Sequence, residues 1–149
     1  MNRFLINKNE RGDTMQISRS EARYKAMTIL YQISLYEKNN ISYNIEEVIN
    51  EQLELKNDFV NELVYGVINN KKDIDLLANK YMKDWTIDRL GLTDAAIIEI
   101  AIYEIKYTET PNIVCINEAI ELSKKYSDEK VSKMINGILD KVYKDFDND

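Results

Sequence analysis

The sequence predicts an all-α fold of about seven helices, arranged in two small helical subdomains that share one core. Three observations predict it. The 149 residues include one proline and four glycines, so few positions interrupt a helix. Apolar residues recur at spacings of three and four along most of the chain, the period of a helix with one buried face. No segment alternates with period two for long, as a half-exposed strand would. A chain of this length suits one compact domain, and 44% hydrophobic residues are enough for its core.

Each element has its own signals. Residues 1–14 show no period and read as a flexible extension, with Met15 as an alternative start; residues 15–149 form the domain. Ser18 is the expected N-cap of the first helix, with Glu21 three residues on completing a capping box. Ala22, Ala26, Ile29 or Leu30, and Ile33 make its apolar stripe, and Asn39-Asn40 ends it. A second helix runs from about Asn44 to Leu55 on Ile45, Val48, Ile49 and Leu53. A third starts near Asp58 with Phe59, Leu63 and Val67. After the polar run Asn69–Lys72 a fourth carries Ile74, Leu77, Ala78, Tyr81 and Met82, with Trp85 just beyond. Gly91 marks the main break, separating an N-terminal subdomain of about 18–88 from a C-terminal one of about 92–146. The fifth helix, about Asp94 to Tyr107, is capped by Thr93 or Asp94 and is apolar on most sides, which suits a central helix. Thr110-Pro111 pairs a cap with proline at the first helical position and opens a sixth helix that turns Ile113, Ile116, Ala119 and Ile120 inward. Ser127 or Asp128 caps a seventh, on which Val131, Met134, Ile135, Ile138, Leu139, Val142 and Phe146 form an apolar stripe.

Composition narrows the function. There is no histidine, which removes the commonest general acid/base and the commonest metal ligand. A single cysteine leaves no internal disulfide and no cysteine-based metal cluster. No cofactor or metal is expected, and the chain reads as non-enzymatic. No apolar run approaches the ~18 residues of a membrane span, and the start lacks the apolar core of a signal peptide, so a cytoplasmic location with no membrane partner is expected. The net charge of −6 is unevenly spread. Residues 1–25 hold six cations against three carboxylates, a balance of +3 that leaves −9 on the rest. A basic end on an acidic body can be a local phosphate site, because screening confines attraction to about 10 Å.

Four groups of residues are candidates for function. Arg19 and Arg23 are four apart on one face of the first helix, beside its unpaired N–H groups, where two guanidiniums could hold neighbouring phosphates. An ordinary solvated face, with Glu21 and Glu37 nearby, would look the same. Ten tyrosines, Tyr24, Tyr31 and Tyr81 among them, could stack on unpaired bases or simply edge the core. Glu118 and Glu121 share a face of the sixth helix and could hold a metal, but Asn117 and Glu118 fit structural bonding better. On the seventh helix Lys133, Asn136 and Asp140 form a polar stripe with Lys130 near its start, a second surface that could face phosphates. Gly137 in mid-helix costs about 1 kcal/mol against alanine, which points to the close approach of another backbone or a ligand.

Together these segments resemble the NusB family of transcription antitermination factors. The run Ser18-Arg19-Ser20-Glu21-Ala22-Arg23, through Ala26 to Leu30-Tyr31-Gln32, is similar to the family's arginine-rich first helix. Phe59, Leu63 and Gly66 fit its third helix, and Ala96-Ile97 with Ile100-Ala101-Ile102-Tyr103-Glu104 its fifth. The strongest match is Pro111, Val114 and Ile116-Asn117-Glu118-Ala119-Ile120-Glu121-Leu122, continuing through Lys124 and Tyr126 to Asn136-Gly137-Ile138-Leu139-Asp140. The resemblance covers about residues 18–144.

The resemblance implies binding of the single-stranded boxA element of ribosomal RNA leaders. It also implies a complex with NusE, a small-subunit ribosomal protein, and a place in the antitermination complex of RNA polymerase with other Nus factors. It leaves homodimerisation open. By position, Arg19 and Arg23 match the RNA-binding helix; Tyr81, Lys130, Lys133 and Asn136 match the neighbouring RNA-facing surface; Tyr31 and Asp94 match the NusE interface. Relatives carry more arginines in the first helix, often arginine where this chain has Glu99, and often an aromatic where it has Met134. Lys130 stands where some relatives have an acidic residue. A protein-interaction module of the same complex without RNA contact is the alternative. NusB-like domains also occur fused to ribosomal RNA methyltransferases, but this chain has no glycine-rich cofactor loop.

Overall fold

A computed structural model describes residues 16–146. The expected residues 1–14 extension and the question of Met15 lie outside the described residues. Seven α-helices follow in order: α1 (Arg19–Lys38), α2 (Ile45–Gln52), α3 (Asp58–Asn69), α4 (Lys71–Lys80), α5 (Leu92–Tyr107), α6 (Asn112–Tyr126) and α7 (Glu129–Phe146). A single 3-10 turn (Ile87–Arg89) precedes α5, and no strand occurs among the described residues. None of these helices is long and apolar enough to cross a membrane.

The chain divides into two compact units between Val64 and Tyr65, inside α3. The sequence placed its main break at Gly91 instead. The physical reason for the difference is that α4 packs on α5, so residues on both sides of Gly91 belong to one body.

In the first unit α1 and α2 pack together. The stripe Ala22, Ala26, Ile29, Leu30 and Ile33 is buried, as its spacing requires. Ser18 caps α1: its Oγ accepts from the Glu21 N–H at 3.1 Å and donates to the Glu21 carboxylate at 3.4 Å. Asn40, at φ 55, takes the left-handed conformation that ends α1. α2 stops at Gln52 rather than Leu55, and Leu53 is extended. The last turn of α2 already holds Glu51 and no basic residue, and a longer helix would add Glu54 at the same negative end of the dipole. Asn57 is the cap of α3; its Oδ1 accepts from the Val60 N–H at 2.9 Å.

In the second unit α5 is the centre, packing against α4, α6 and α7. Every residue from Ala96 to Ile105 is buried. The C-terminal part of α3 comes so close to α5 that a Cβ on Gly66 would fall inside the Tyr103 ring. Two expected caps move, and a third is decided between its two candidates. Gly91, not Thr93 or Asp94, is the N-cap of α5, because Asp94 lies in the first turn, where its carboxylate accepts from the Ser127 hydroxyl. Pro111 itself caps α6 in place of Thr110, whose N–H donates to Thr108 Oγ1 at 3.2 Å. At α7 the choice falls on Asp128, which accepts from the Val131 N–H at 2.8 Å. Ile113, expected to point inward, is 57% exposed. The buried face of α6 runs through Cys115, Ile116, Ala119 and Leu122, and a residue two before Cys115 lies about 200° around the helix. Phe146, the last of the expected α7 stripe, is exposed where the helix ends.

Candidate nucleic-acid interface

In the first unit the basic residues are built around one ring. Arg19 and Arg23, one turn apart on α1, both lie over Phe59 of α3, with guanidinium carbons 4.1 and 5.1 Å from its centroid. The ring's position follows from the start of α3. Asn57 caps that helix and donates to Gln16 Oε1 at 2.9 Å, while Gln16 donates to the Lys56 carbonyl at 3.1 Å. The two arginines differ in access. Arg19 is exposed, whereas Arg23 is only 4% exposed. Lys25 is buried as well, and burial lowers its pKa against the opposing pull of Glu21. Of these three cations Arg19 alone is presented to solvent. Over Phe59, its guanidinium has no hydrogen bond or ion pair with another described residue, so its N–H edges can reach a phosphate bidentately. Tyr31, further along α1, is 40% exposed.

In the second unit α7 carries Lys130, Lys133 and Asn136 on its exposed side. Lys133 and Asn136 share a groove of about 410 Å³ with Lys124, Ser127 and Ser132. Behind it α6 and α7 are tied by a 2.8 Å hydrogen bond between the hydroxyls of Ser123 and Ser132. The lysines of the groove are already paired: Lys133 with Glu129 at 3.3 Å and Lys124 with Glu121 at 3.6 Å. Such exposed pairs hold together weakly and can exchange their carboxylates for phosphates. Lys130 is exposed and lies outside that groove. Asp94 sits half-buried at the start of α5, its carboxylate engaged by Ser127.

Tyr81 is in a different place. It lines a second cleft of about 230 Å³ with Met82, Trp85, Met134, Gly137 and Lys141. The structure therefore brings Lys133 and Asn136 together but keeps Tyr81 out of their groove. Gly137 also departs from one half of its expectation. A Cβ there would meet nothing within 4 Å, so no neighbouring backbone requires the glycine.

Within the second unit α5 buries two carboxylates. Glu99 Oε2 accepts from Lys71 Nζ at 2.6 Å, and Lys71 also pairs with Asp75 at 3.1 Å. Burial and the adjoining Asp75 carboxyl outweigh Lys71 and push Glu99 up to about 8. The same two carboxylates overcome burial to raise Lys71. Glu104 is 1% exposed and faces the Cys115 thiol at 3.9 Å. Among the described residues no three side chains gather as a metal site; Glu118 is half-buried, and Glu121 is exposed.

Sequence reasoning missed Phe59 as the platform for the arginines and Asn57 as the cap that places it. A signal for the second was present: asparagine just before an acidic residue and an apolar run is an N-cap pattern.

Known proteins are similar to this chain. A family model described as the NusB family matches residues 20–144. The transcription antitermination protein NusB of Listeria innocua is 41% identical over 124 residues, covering 83% of this chain and 94% of that protein. The solved structure of T. maritima NusB matches with a TM-score of 0.76 at 28% identity, over 87% of this chain and 93% of that one. A chain from a crystal structure of the antitermination factors NusB and NusE in complex with dsRNA matches with a TM-score of 0.74 at 27% identity, over 86% of this chain and 97% of that one.

Proposed function

The chain belongs to the NusB family of transcription antitermination factors and is not an enzyme, and from that premise we propose that it binds the single-stranded boxA element of ribosomal RNA leaders together with NusE. It does so in the cytoplasm, within the antitermination complex of RNA polymerase and other Nus factors, and so favours processive transcription of rRNA operons. The observation that carries the reading is Arg19: an exposed guanidinium, stacked on Phe59, in the first turn of a capped helix. Ring, charge and helix N-terminus all favour an RNA phosphate there.

The other residues divide by what surrounds them. Arg23, buried beside the same ring, positions α1 rather than reaching for RNA. Lys130, Lys133 and Asn136 meet the RNA backbone from α7. Tyr31 offers an exposed aromatic to NusE, and Asp94, in the first turn of α5, is the second residue assigned to that partner. The NusB–NusE structure holds dsRNA, so the preference for a single strand is part of the test.

Fluorescence anisotropy with a boxA oligonucleotide, with its duplex, and with and without NusE tests the reading. The single strand should bind more tightly than the duplex, and NusE should raise the affinity. Arg19→Ala should weaken binding and reduce the magnitude of the salt slope by about 0.7, one phosphate contact on a single strand. The burial of Arg23 and Lys25 favours a second reading, a protein-interaction module without RNA contact. That reading wins if RNA binds NusE alone and this chain adds nothing.

A further inference from the structure

Ser127 stands between α6 and α7, and its neighbours along the chain fix its backbone. It is the C-cap of α6, with its N–H donating to the Ser123 carbonyl at 2.9 Å. The next residue, Asp128, is held as the cap of α7. What remains free is rotation of the Ser127 hydroxyl among its staggered positions. In the structure that hydroxyl donates to Asp94 Oδ1, in the first turn of α5. Ser127 also lines the groove of Lys124, Ser132, Lys133 and Asn136. One side chain therefore touches both the residue assigned to NusE and the groove assigned to RNA.

A serine hydroxyl has one proton to donate. While Asp94 holds it, the groove does not have it. The groove has use for it, because Lys124 and Lys133 already have carboxylate partners in Glu121 and Glu129. Asp94 also sets a negative charge one hydroxyl away from the groove, where it repels a phosphate. Its other oxygen, Oδ2, turns toward Gly91, 3.3 Å from where a Cβ there would stand. The residue is half-buried, so a donor from outside can reach the carboxylate. A cation bound there takes up the charge that strengthens the bond from Ser127. Both consequences favour an anion in the groove: the repulsion falls and the hydroxyl is released.

We propose that Ser127 couples the two binding functions of the second unit: Asp94 holds its hydroxyl in the free chain, and the hydroxyl passes to an RNA phosphate in the groove once NusE engages that carboxylate. The two states differ in the partner of one donor. NusE and RNA favour the same state, so the coupling is positive and reciprocal. The inference rests on the RNA and NusE binding proposed above and adds the residue that links them. A serine that only fastened α6 and α7 to α5 would affect RNA binding alike with and without NusE.

Binding of the single-stranded boxA oligonucleotide to the full chain is measured by anisotropy, with and without saturating NusE. The ratio of the two affinities is the coupling. In the wild type NusE should raise RNA affinity about 5- to 150-fold, the usual range of coupling between two sites. Ser127→Ala should cut that gain about 2- to 12-fold, the worth of one hydrogen bond, chiefly through affinity lost in the presence of NusE. Ser127→Thr keeps the hydroxyl and should keep the gain. Asp94→Asn removes the charge and should bind RNA more tightly than the wild type when NusE is absent. If Ser127→Ala keeps the full gain, or loses RNA affinity equally with and without NusE, the coupling is overturned while RNA and NusE binding stand. It is overturned as well if Asp94→Asn does not tighten RNA binding by the free chain, or if Ser127→Thr behaves as the alanine variant does. If NusE gives the wild type no gain, or RNA binds in neither condition, the inference falls together with the proposed function.

Discussion

Arg23 in the first turns of α1 and Glu99 in the middle of α5 are buried to the same degree, each 4% exposed, yet their surroundings treat the charge differently. Arg23 keeps its charge, because a guanidinium does not titrate in proteins and its delocalised cation lies beside the face of Phe59. Glu99 has a neighbouring carboxyl in Asp75 and one ammonium, Lys71, shared between them. The less costly state there is a protonated Glu99, which is why its pKa rises to about 8. A buried cation on an aromatic ring is a fixed feature of the first unit. A buried carboxyl beside another carboxyl makes the second unit sensitive to pH.

The largest expected effect separates the two sites by that sensitivity. The folded pKa of Glu99, about 8, lies above its ordinary 4.5. Between those values the native state holds a proton that the unfolded chain has lost, so stability falls as pH rises through this window. The slope approaches ~1.4 kcal/mol per pH unit at most. Lys71, raised above its ordinary 10.5, titrates only above the window. Urea denaturation at pH 5, 6.5 and 8 should show the decline, and Glu99→Gln should flatten it; a wild-type profile as flat as the variant's would refute the protonated carboxyl.

Arg23→Ala comes next. It should cost about 2–3 kcal/mol through lost packing, nearly equally at pH 5 and pH 8. Arg19→Ala, one turn away on the same ring but exposed, should cost under about 1 kcal/mol of stability while still weakening RNA binding. If both arginines proved equally dispensable for folding, the distinction between a positioning and a contacting residue would fail. The smallest effect belongs to α7. Lys133→Ala removes an exposed pair with Glu129 and should change stability by less than about 0.5 kcal/mol, with any consequence confined to the salt dependence of RNA affinity.

Much of this was legible in the sequence. Local rules act over four or five residues, and they found the cap at Ser18, the stop at Asn39-Asn40, the burial of Ala22, Ala26 and Ile33, and the central α5. They failed where a distant residue competed for the same group. Thr93 or Asp94 was expected to cap α5, but Gly91 is the cap and Ser127, 33 residues after Asp94, engages the Asp94 carboxylate. Arg19 and Arg23 looked equivalent because spacing alone assigns them one face. The position of Phe59 relative to them depends on where α3 begins, which Asn57 sets.

By itself, then, the sequence determined the all-helical class, the approximate number and order of helices, and the family, because helical period, capping patterns and motif order are written in neighbouring residues. Tertiary structure alone decided which charges are presented and which are buried, that burial beside Asp75 raises the pKa of Glu99, and that Gly66 admits a ring while Gly137 leaves a cleft open. Exposure and pKa are set by atoms far away along the chain, and a glycine's meaning depends on what stands where its Cβ would be.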